Sequence, residues 1–169
     1  MKSQFHQVLA VVLIAVGVFL LLRVTVQSFV VLGSSMEPNL EDGQRLLVNK
    51  VVYHLREPQR GEIIVFHQPD GGRIDLIKRI IAIPGDTIEI KEGAVYINDS
   101  AIDEPYLEAA PSYTMAKQEI PDGEYFVLGD NRNNSNDSHR WGTLAQEDII
   151  GKAWFSIWPP GSIHHYKLQ

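Results

Sequence analysis

Residues Ser3 to Leu22 contain no Asp, Glu, Lys or Arg, and Val8 to Leu22 is apolar throughout apart from Gly17. Twenty helical residues extend about 30 Å, the thickness of a bilayer's hydrocarbon core. The run therefore predicts a membrane-spanning helix. Lys2 and Arg23 bracket it, where long cationic side chains can reach the headgroups. A buried core helix is the competing reading, and the lack of any polar face at a helical period counts against it. A cleaved leader would need a small-x-small site after the apolar run, but Arg23-Val24-Thr25-Val26-Gln27 follows instead. Residues 1–23 are thus expected to persist as an anchor. One cation on each side gives little guidance on orientation.

The remaining residues form a chain of another character. The protein has 169 residues with 15 Lys+Arg against 21 Asp+Glu, a formal charge of −6, and both bracketing cations lie in the anchor. The part after residue 23 is therefore more acidic still, which argues against a phosphate-tracking nucleic-acid binder and against basic-patch adhesion to anionic lipid. There are no cysteines, which removes disulfides, a thiol nucleophile and Cys-ligated metals.

Strand-forming runs separated by Gly/Pro turns dominate from residue 24 onward. Val24–Val31, Leu46–Val52, Glu62–Phe66 and Ile74–Ile83 are rich in β-branched residues. Thr87–Lys91 and Ala94–Ile97 flank Glu92-Gly93, a hairpin signal. Tyr125–Leu128 and Ile149–Ile157 complete the set. Short strands at this spacing predict an all-β body. Ser100–Gln118 shows no period and reads as a loop excursion capping the sheet.

Three segments are more polar or more constrained than folding alone demands. Gly33-Ser34-Ser35-Met36-Glu37-Pro38 can present a side-chain oxygen at the end of a strand with backbone N–H groups nearby, although an ordinary Ser-rich turn looks the same. In Ile74-Asp75-Leu76-Ile77-Lys78-Arg79-Ile80-Ile81, strand alternation puts Lys78 on the face of Ile74, Leu76 and Ile80. If that face is the core, desolvation lowers the lysine pKa and a neutral amine can take a proton from a hydroxyl. On a wet face it would merely snorkel. Asp130 to Arg140 is an unbroken polar run between a strand and Trp141-Gly142. It reads as a solvated loop, as a calcium loop lacking the required glycine, or as a scaffold in which Asp130 and Asp137 pair with Arg132 or Arg140.

Taken in order, these segments resemble the type I signal peptidases, membrane-anchored Ser/Lys proteases. The resemblance rests on Gly33–Pro38, on Arg60-Gly61-Glu62-Ile63-Ile64-Val65-Phe66, on Lys78-Arg79-Ile80 with Pro84-Gly85-Asp86, and on Gly129-Asp130-Asn131-Arg132 through Ser135, Asp137 and Ser138. Asn133–His139 is most similar to cyanobacterial and plastid members.

The resemblance implies an all-β, antiparallel, barrel-like signal-peptidase or repressor-protease fold behind an N-terminal transmembrane helix. It divides the chain into an anchor at 1–23 and an extracytoplasmic catalytic domain at 24–169, with a small capping excursion at about 84–124. It implies Ser35 as nucleophile and Lys78 as general base. Ser135 would hold the Lys78 amine, and Asp130, Arg132 and Asp137 would be structural salt-bridge partners. The oxyanion hole would include the Ser35 N–H. Some members add a hydroxyl two residues before the nucleophile, where this chain has Gly33, so the second donor stays open. His139 stands where many members have Arg, and whether Arg140 substitutes is open too. Small residues are preferred at positions −1 and −3 of the substrate, and Val31, Leu40 and Ile77 are candidate walls for those pockets, equally good as core residues.

The implied substrates are signal peptides of exported preproteins, with lipid met through the helix and with no cofactor, metal or nucleic acid expected. The implied location is a bacterial plasma membrane, single-pass, with a thylakoid membrane as the alternative. Two rivals stand beside this reading. A Ser/Lys self-cleaving repressor would share the nucleophile-loop style, and the anchor and the Asp130–Ser138 segment count against it. A catalytically silent membrane-anchored binding domain would be favoured if Ser35 or Lys78 were missing.

Overall fold

A computed structural model describes residues 2–69 and 71–159, apart from the side chains of residues 2, 3, 5 and 21. The bracketing role expected of Lys2 lies outside the described side chains. Helix α1 spans Lys2–Thr25. Its segment His6–Thr25 has a mean hydropathy of 2.8, is long and apolar enough to cross a membrane, and is not buried among the described residues. An all-round apolar helix without a protein partner is matched to lipid. The helix runs two residues past Arg23, through Val24 and Thr25, which were expected to begin a strand. Thr25 Oγ1 donates to the Leu22 carbonyl at 3.4 Å, a back-bond that occupies the last turn.

Among the described residues, eleven strands follow in chain order, with two short α-helices and two 3-10 turns among them. β1 is Val26–Val30 and β2 is Arg45–Asn49, followed by α2, Val52–Leu55. β3 is Ile63–His67, β4 is Asp75–Ala82, β5 is Thr87–Lys91 and β6 is Ala94–Ile97. β7 is Ser100–Ala101, β8 is Met115–Glu119 and β9 is Glu124–Leu128. α3 is Ser138–Trp141, β10 is Leu144–Ala145 and β11 is Ile149–Trp158.

Two departures from the sequence reading have local causes. The strand expected through Val52 stops at Asn49, because the Asn49 side-chain oxygen accepts from the Val51 and Val52 N–H groups at 3.0 and 3.1 Å and turns the chain into α2. The excursion read as a loop contains β7 and β8. β8 is Met-Ala-Lys-Gln-Glu, mostly exposed, and is held by backbone pairing to β5 at one edge of its sheet. An edge strand carrying Lys shows no apolar alternation. The β5–β6 hairpin forms as expected, with Glu92 and Gly93 at φ 53° and 75°, the two left-handed positions of its turn.

Among the described residues all strand pairings are antiparallel and fall into two sheets. One has seven strands in the order β1-β2-β11-β3-β4-β9-β10, and the other has four in the order β7-β6-β5-β8. The large sheet is open, with β1 and β10 at its edges, yet it is strongly curled. Strands β1 and β4 are separated by three others, about 19 Å on a flat sheet. The loop after β1 nevertheless touches a β4 side chain, as described below. The curl wraps a core of Val31, Met36, Leu40, Leu46, Val65 and Ile77, among others. Its other face packs Ile64, Phe66, Ile80, Tyr125, Val127 and Leu144. A third cluster, including Ile88, Ile90 and Phe126, joins the small sheet to the large one. Each such Leu, Ile or Phe stabilises the fold by about 1.5–3 kcal/mol.

Candidate active site

Two strand exits and the middle of a third strand converge at one place. The first is the exit of β1. Val31, Met36 and Leu40 plug the loop into the core, and Gly33, at φ 82°, makes the left-handed turn that leads into Ser34-Ser35. Asp42 caps this turn by accepting from the Gly33 N–H at 2.7 Å.

The second is β4. It lies between β3 and β9 and is buried on both faces from Ile77 to Ala82. Leu76 and Ile80 point to one cluster and Ile77 to the other, the alternation expected. Ile74 departs from expectation: it precedes the strand and is exposed, so it does not flank Lys78. Lys78 is 3% exposed. Its Nζ donates to Ser35 Oγ at 2.7 Å and to the Ile77 carbonyl at 2.9 Å. Burial lowers its pKa to about 8, against the opposing pull of the Asp137 and Asp130 carboxylates.

The third is the polar segment after β9, which clamps the Ser35 loop. The Asn131 N–H donates to the Ser35 carbonyl at 3.0 Å, Asn131 Nδ2 to the Ser34 carbonyl at 3.1 Å, and Asn134 Nδ2 to Ser34 Oγ at 3.0 Å. Gly129 packs so closely on the Ser35 carbonyl and the Ser135 side chain that no Cβ would fit.

The ion pairs differ from those read from sequence. Asp130 pairs neither with Arg132 nor with Arg140. It accepts from Arg79 Nε and Nη2 at 2.8 and 2.7 Å and from Asn39 Nδ2 at 2.9 Å. Arg79 follows Lys78 on a buried strand, so its guanidinium needs a buried partner, and it also stacks over the Tyr106 ring at 4.1 Å. Arg132 turns the other way: Nε donates to the Gly129 carbonyl at 3.1 Å and the fork engages Glu104 at 2.7 and 2.6 Å. Asp137 pairs with His139, whose Nδ1 lies 2.6 Å from Oδ1, and it accepts the Gly129 N–H at 2.9 Å. His139, not Arg140, thus stands against this carboxylate. The Ser135 hydroxyl is buried with no hydrogen-bond partner among the described residues, so the structure does not join it to Lys78.

Sequence reasoning missed Arg79, Asn39, Glu104 and Tyr106 as parts of this network. Arg79 alone carried a signal, a charge alternating with Ile77 and Ile81 on a buried strand. Replacing Asp130 by alanine leaves Arg79 buried and unpaired. The expected cost is about 3–5 kcal/mol of stability, read as a lowered denaturation midpoint, and a loss below 1 kcal/mol would refute the pairing.

Beside Ser35 and Lys78 lies a cleft of about 90 Å³ between Val30–Leu32 and Ile74–Ile77. Of the expected pocket walls, Val31 and Ile77 line it and Leu40 does not, being fully buried in the core. A larger cavity, about 790 Å³, lies elsewhere, at the foot of α1 near Val24, Lys50 and His54.

The sequence matches the family described as "Signal peptidase, peptidase S26" over residues 4–158. The chain belongs to the signal peptidase family. With it, the chain joins the membrane serine endopeptidases that remove signal peptides. Among relatives, it is 46% identical over 132 residues to "Probable signal peptidase I-2" of Synechocystis sp., covering 75% of this chain and 61% of that protein. It is 39% identical over 170 residues to "Signal peptidase I U" of Bacillus subtilis, covering 95% and 90%. A crystal structure of a signal peptidase I from Enterococcus faecalis superimposes with a TM-score of 0.52 at 32% identity, covering 57% of this chain and 97% of that one.

Proposed function

We propose that this signal peptidase family member cleaves preproteins with Ser35 as nucleophile and Lys78 as general base. The observation that carries the assignment is the 2.7 Å contact between Lys78 Nζ and Ser35 Oγ at a lysine 3% exposed. A pKa near 8 leaves an appreciable fraction of the amine neutral in mildly alkaline solution. That neutral amine takes the Ser35 proton as Oγ attacks the scissile carbonyl. The tetrahedral oxyanion collapses as the lysine returns the proton to the leaving amine. Water, deprotonated by the same lysine, then hydrolyses the acyl-enzyme. The Ser35 N–H, which takes no acceptor among the described residues, is assigned to the oxyanion.

The substrate segment is assigned to the cleft between Val30–Leu32 and Asp75–Ile77. β1 is an edge strand, and the first residues of β4 pair only with β3. An extended peptide can therefore add backbone hydrogen bonds on either side. A volume of about 90 Å³ suits alanine-sized side chains against Val31 and Ile77.

Asp130, Arg132 and Asp137 are assigned to holding the loop. Ser135 is assigned as acceptor for the protonated amine, supported by its unspent buried hydroxyl. The 24–169 body is assigned to the extracytoplasmic face of a bacterial plasma membrane, with α1 raising the local concentration of membrane-borne substrate; a thylakoid membrane is the alternative. The test is incubation of the full chain in detergent with an exported precursor, wild type beside Ser35→Ala. The mature product is expected from wild type alone. Cleavage by both proteins, or by neither, would defeat the proposal.

A further inference from the structure

His139 is held on three sides. Its ring stacks on Tyr113, with centroids 4.2 Å apart and planes 20° from parallel. Nδ1 lies 2.6 Å from Asp137 Oδ1, and Arg140 Nε donates to His139 Nε2 at 3.2 Å. The last contact fixes the tautomer. An arginine Nε–H donates and never accepts, so Nε2 must offer its lone pair. In this arrangement Nδ1 carries a proton and donates it to Asp137. We infer that His139 is a positioning residue that connects the Arg140 guanidinium to Asp137 and so sets the charge Asp137 presents to the Lys78 amine.

The inference rests on the Ser35/Lys78 reading and adds a regulator of its base. Asp137 is fully buried. One oxygen takes the Gly129 N–H at 2.9 Å and the other takes His139, and Gly129 is packed on the Ser35 carbonyl. The carboxylate thus meets the nucleophile loop on one side and the relay on the other. The carboxylates acting on Lys78 are Asp137 and Asp130, and both favour the protonated amine. Asp130 is neutralised by the Arg79 fork at 2.7 and 2.8 Å, whereas Asp137 meets no arginine directly among the described residues. The His139 N–H, polarised by Arg140, is what draws its charge away from the lysine.

The test is the pH profile of kcat/KM for the full chain in detergent with a signal-peptide substrate. His139→Leu removes both hydrogen bonds. Its acid limb is expected to move upward by about one pH unit, which lowers kcat/KM about tenfold on that limb and leaves the alkaline plateau unchanged. His139→Gln keeps a donor and an acceptor, and it is expected to restore the wild-type limb. Arg140→Leu alters an exposed residue, which keeps the test open should His139→Leu not fold. It is expected to move the limb the same way by less. A loss of equal factor at every pH would reduce His139 to a structural part and overturn the inference, as would limbs that coincide in all variants. Cleavage surviving Ser35→Ala would instead defeat the underlying dyad.

Discussion

Lys78→Met is expected to lower kcat by roughly 10²–10⁴-fold, the range a positioned general base supplies, without loosening the fold. Methionine is unbranched and apolar, and it fills the same buried slot. What goes is the only group hydrogen-bonded to Ser35 Oγ among the described residues. The double variant Ser35→Ala/Lys78→Met is expected to be no worse than either single, because nucleophile and base act as one unit. The wild-type pH profile carries the same signature: the base works only when deprotonated, so kcat/KM rises through an apparent pKa of about 8. Stability obeys the matching linkage. The folded-state pKa lies below the ordinary lysine value of 10.5, so the unfolded chain binds the proton more tightly. The resulting penalty, about 3 kcal/mol at most, is present in full below pH 8 and fades toward 10.5. Wild type therefore gains stability as pH rises across that window, and Lys78→Met does not. A variant that keeps turnover would show that Lys78 is not the base and end the proposed mechanism. A flat wild-type stability profile would show that the amine is not desolvated.

The fate of particular residues shows which parts of this architecture can be read from a sequence. The N-terminal apolar helix and the β5–β6 hairpin were legible because each depends on local order: an uncharged run and two residues suited to positive φ. Alternation along β4 set the face of Lys78 but left open whether that face was buried. β8 and β10 were not, because they join their sheets through backbone pairing and carry no apolar rhythm. The site divides the same way. Ser35 and Lys78 could be paired from the resemblance, but the Arg79–Asp130 bridge joins positions 51 residues apart. Charge type alone could not choose among Arg79, Arg132 and Arg140 as the partner of Asp130. Leu40 and Ile77 illustrate a further limit. Both are apolar residues of one cluster, yet only Ile77 borders the cleft, and which core residue forms a wall is decided by the curl of the whole sheet.

Gly129→Ala, one added methyl group, is expected to cost about 10²-fold in kcat. The backbone here is not left-handed, so the demand is steric. A Cβ would overlap the Ser135 side chain and the Ser35 carbonyl oxygen. Gly129 cannot retreat, because Asp137 holds its N–H at 2.9 Å and Arg132 Nε its carbonyl at 3.1 Å. The Ser35 loop must give way instead, although its carbonyl is tied to the Asn131 N–H at 3.0 Å. A displacement near 1 Å takes Oγ out of line with the Lys78 amine, and misplacements of that size cost about 10²-fold. Overpacking adds a loss of about 1–3 kcal/mol in stability. KM is expected to change little, since Gly129 does not line the substrate cleft. The double variant Gly129→Ala/Ser135→Gly locates the strain: removing the Ser135 side chain relieves one overlap and leaves the clash with the Ser35 carbonyl. Because Ser135 is itself assigned to the lysine amine, the readout is stability rather than kcat, and partial recovery of the denaturation midpoint is expected. Full recovery would mean that the serine side chain, not the nucleophile loop, was absorbing the methyl group. A single variant with undiminished kcat would show that the loop yields without disturbing the dyad.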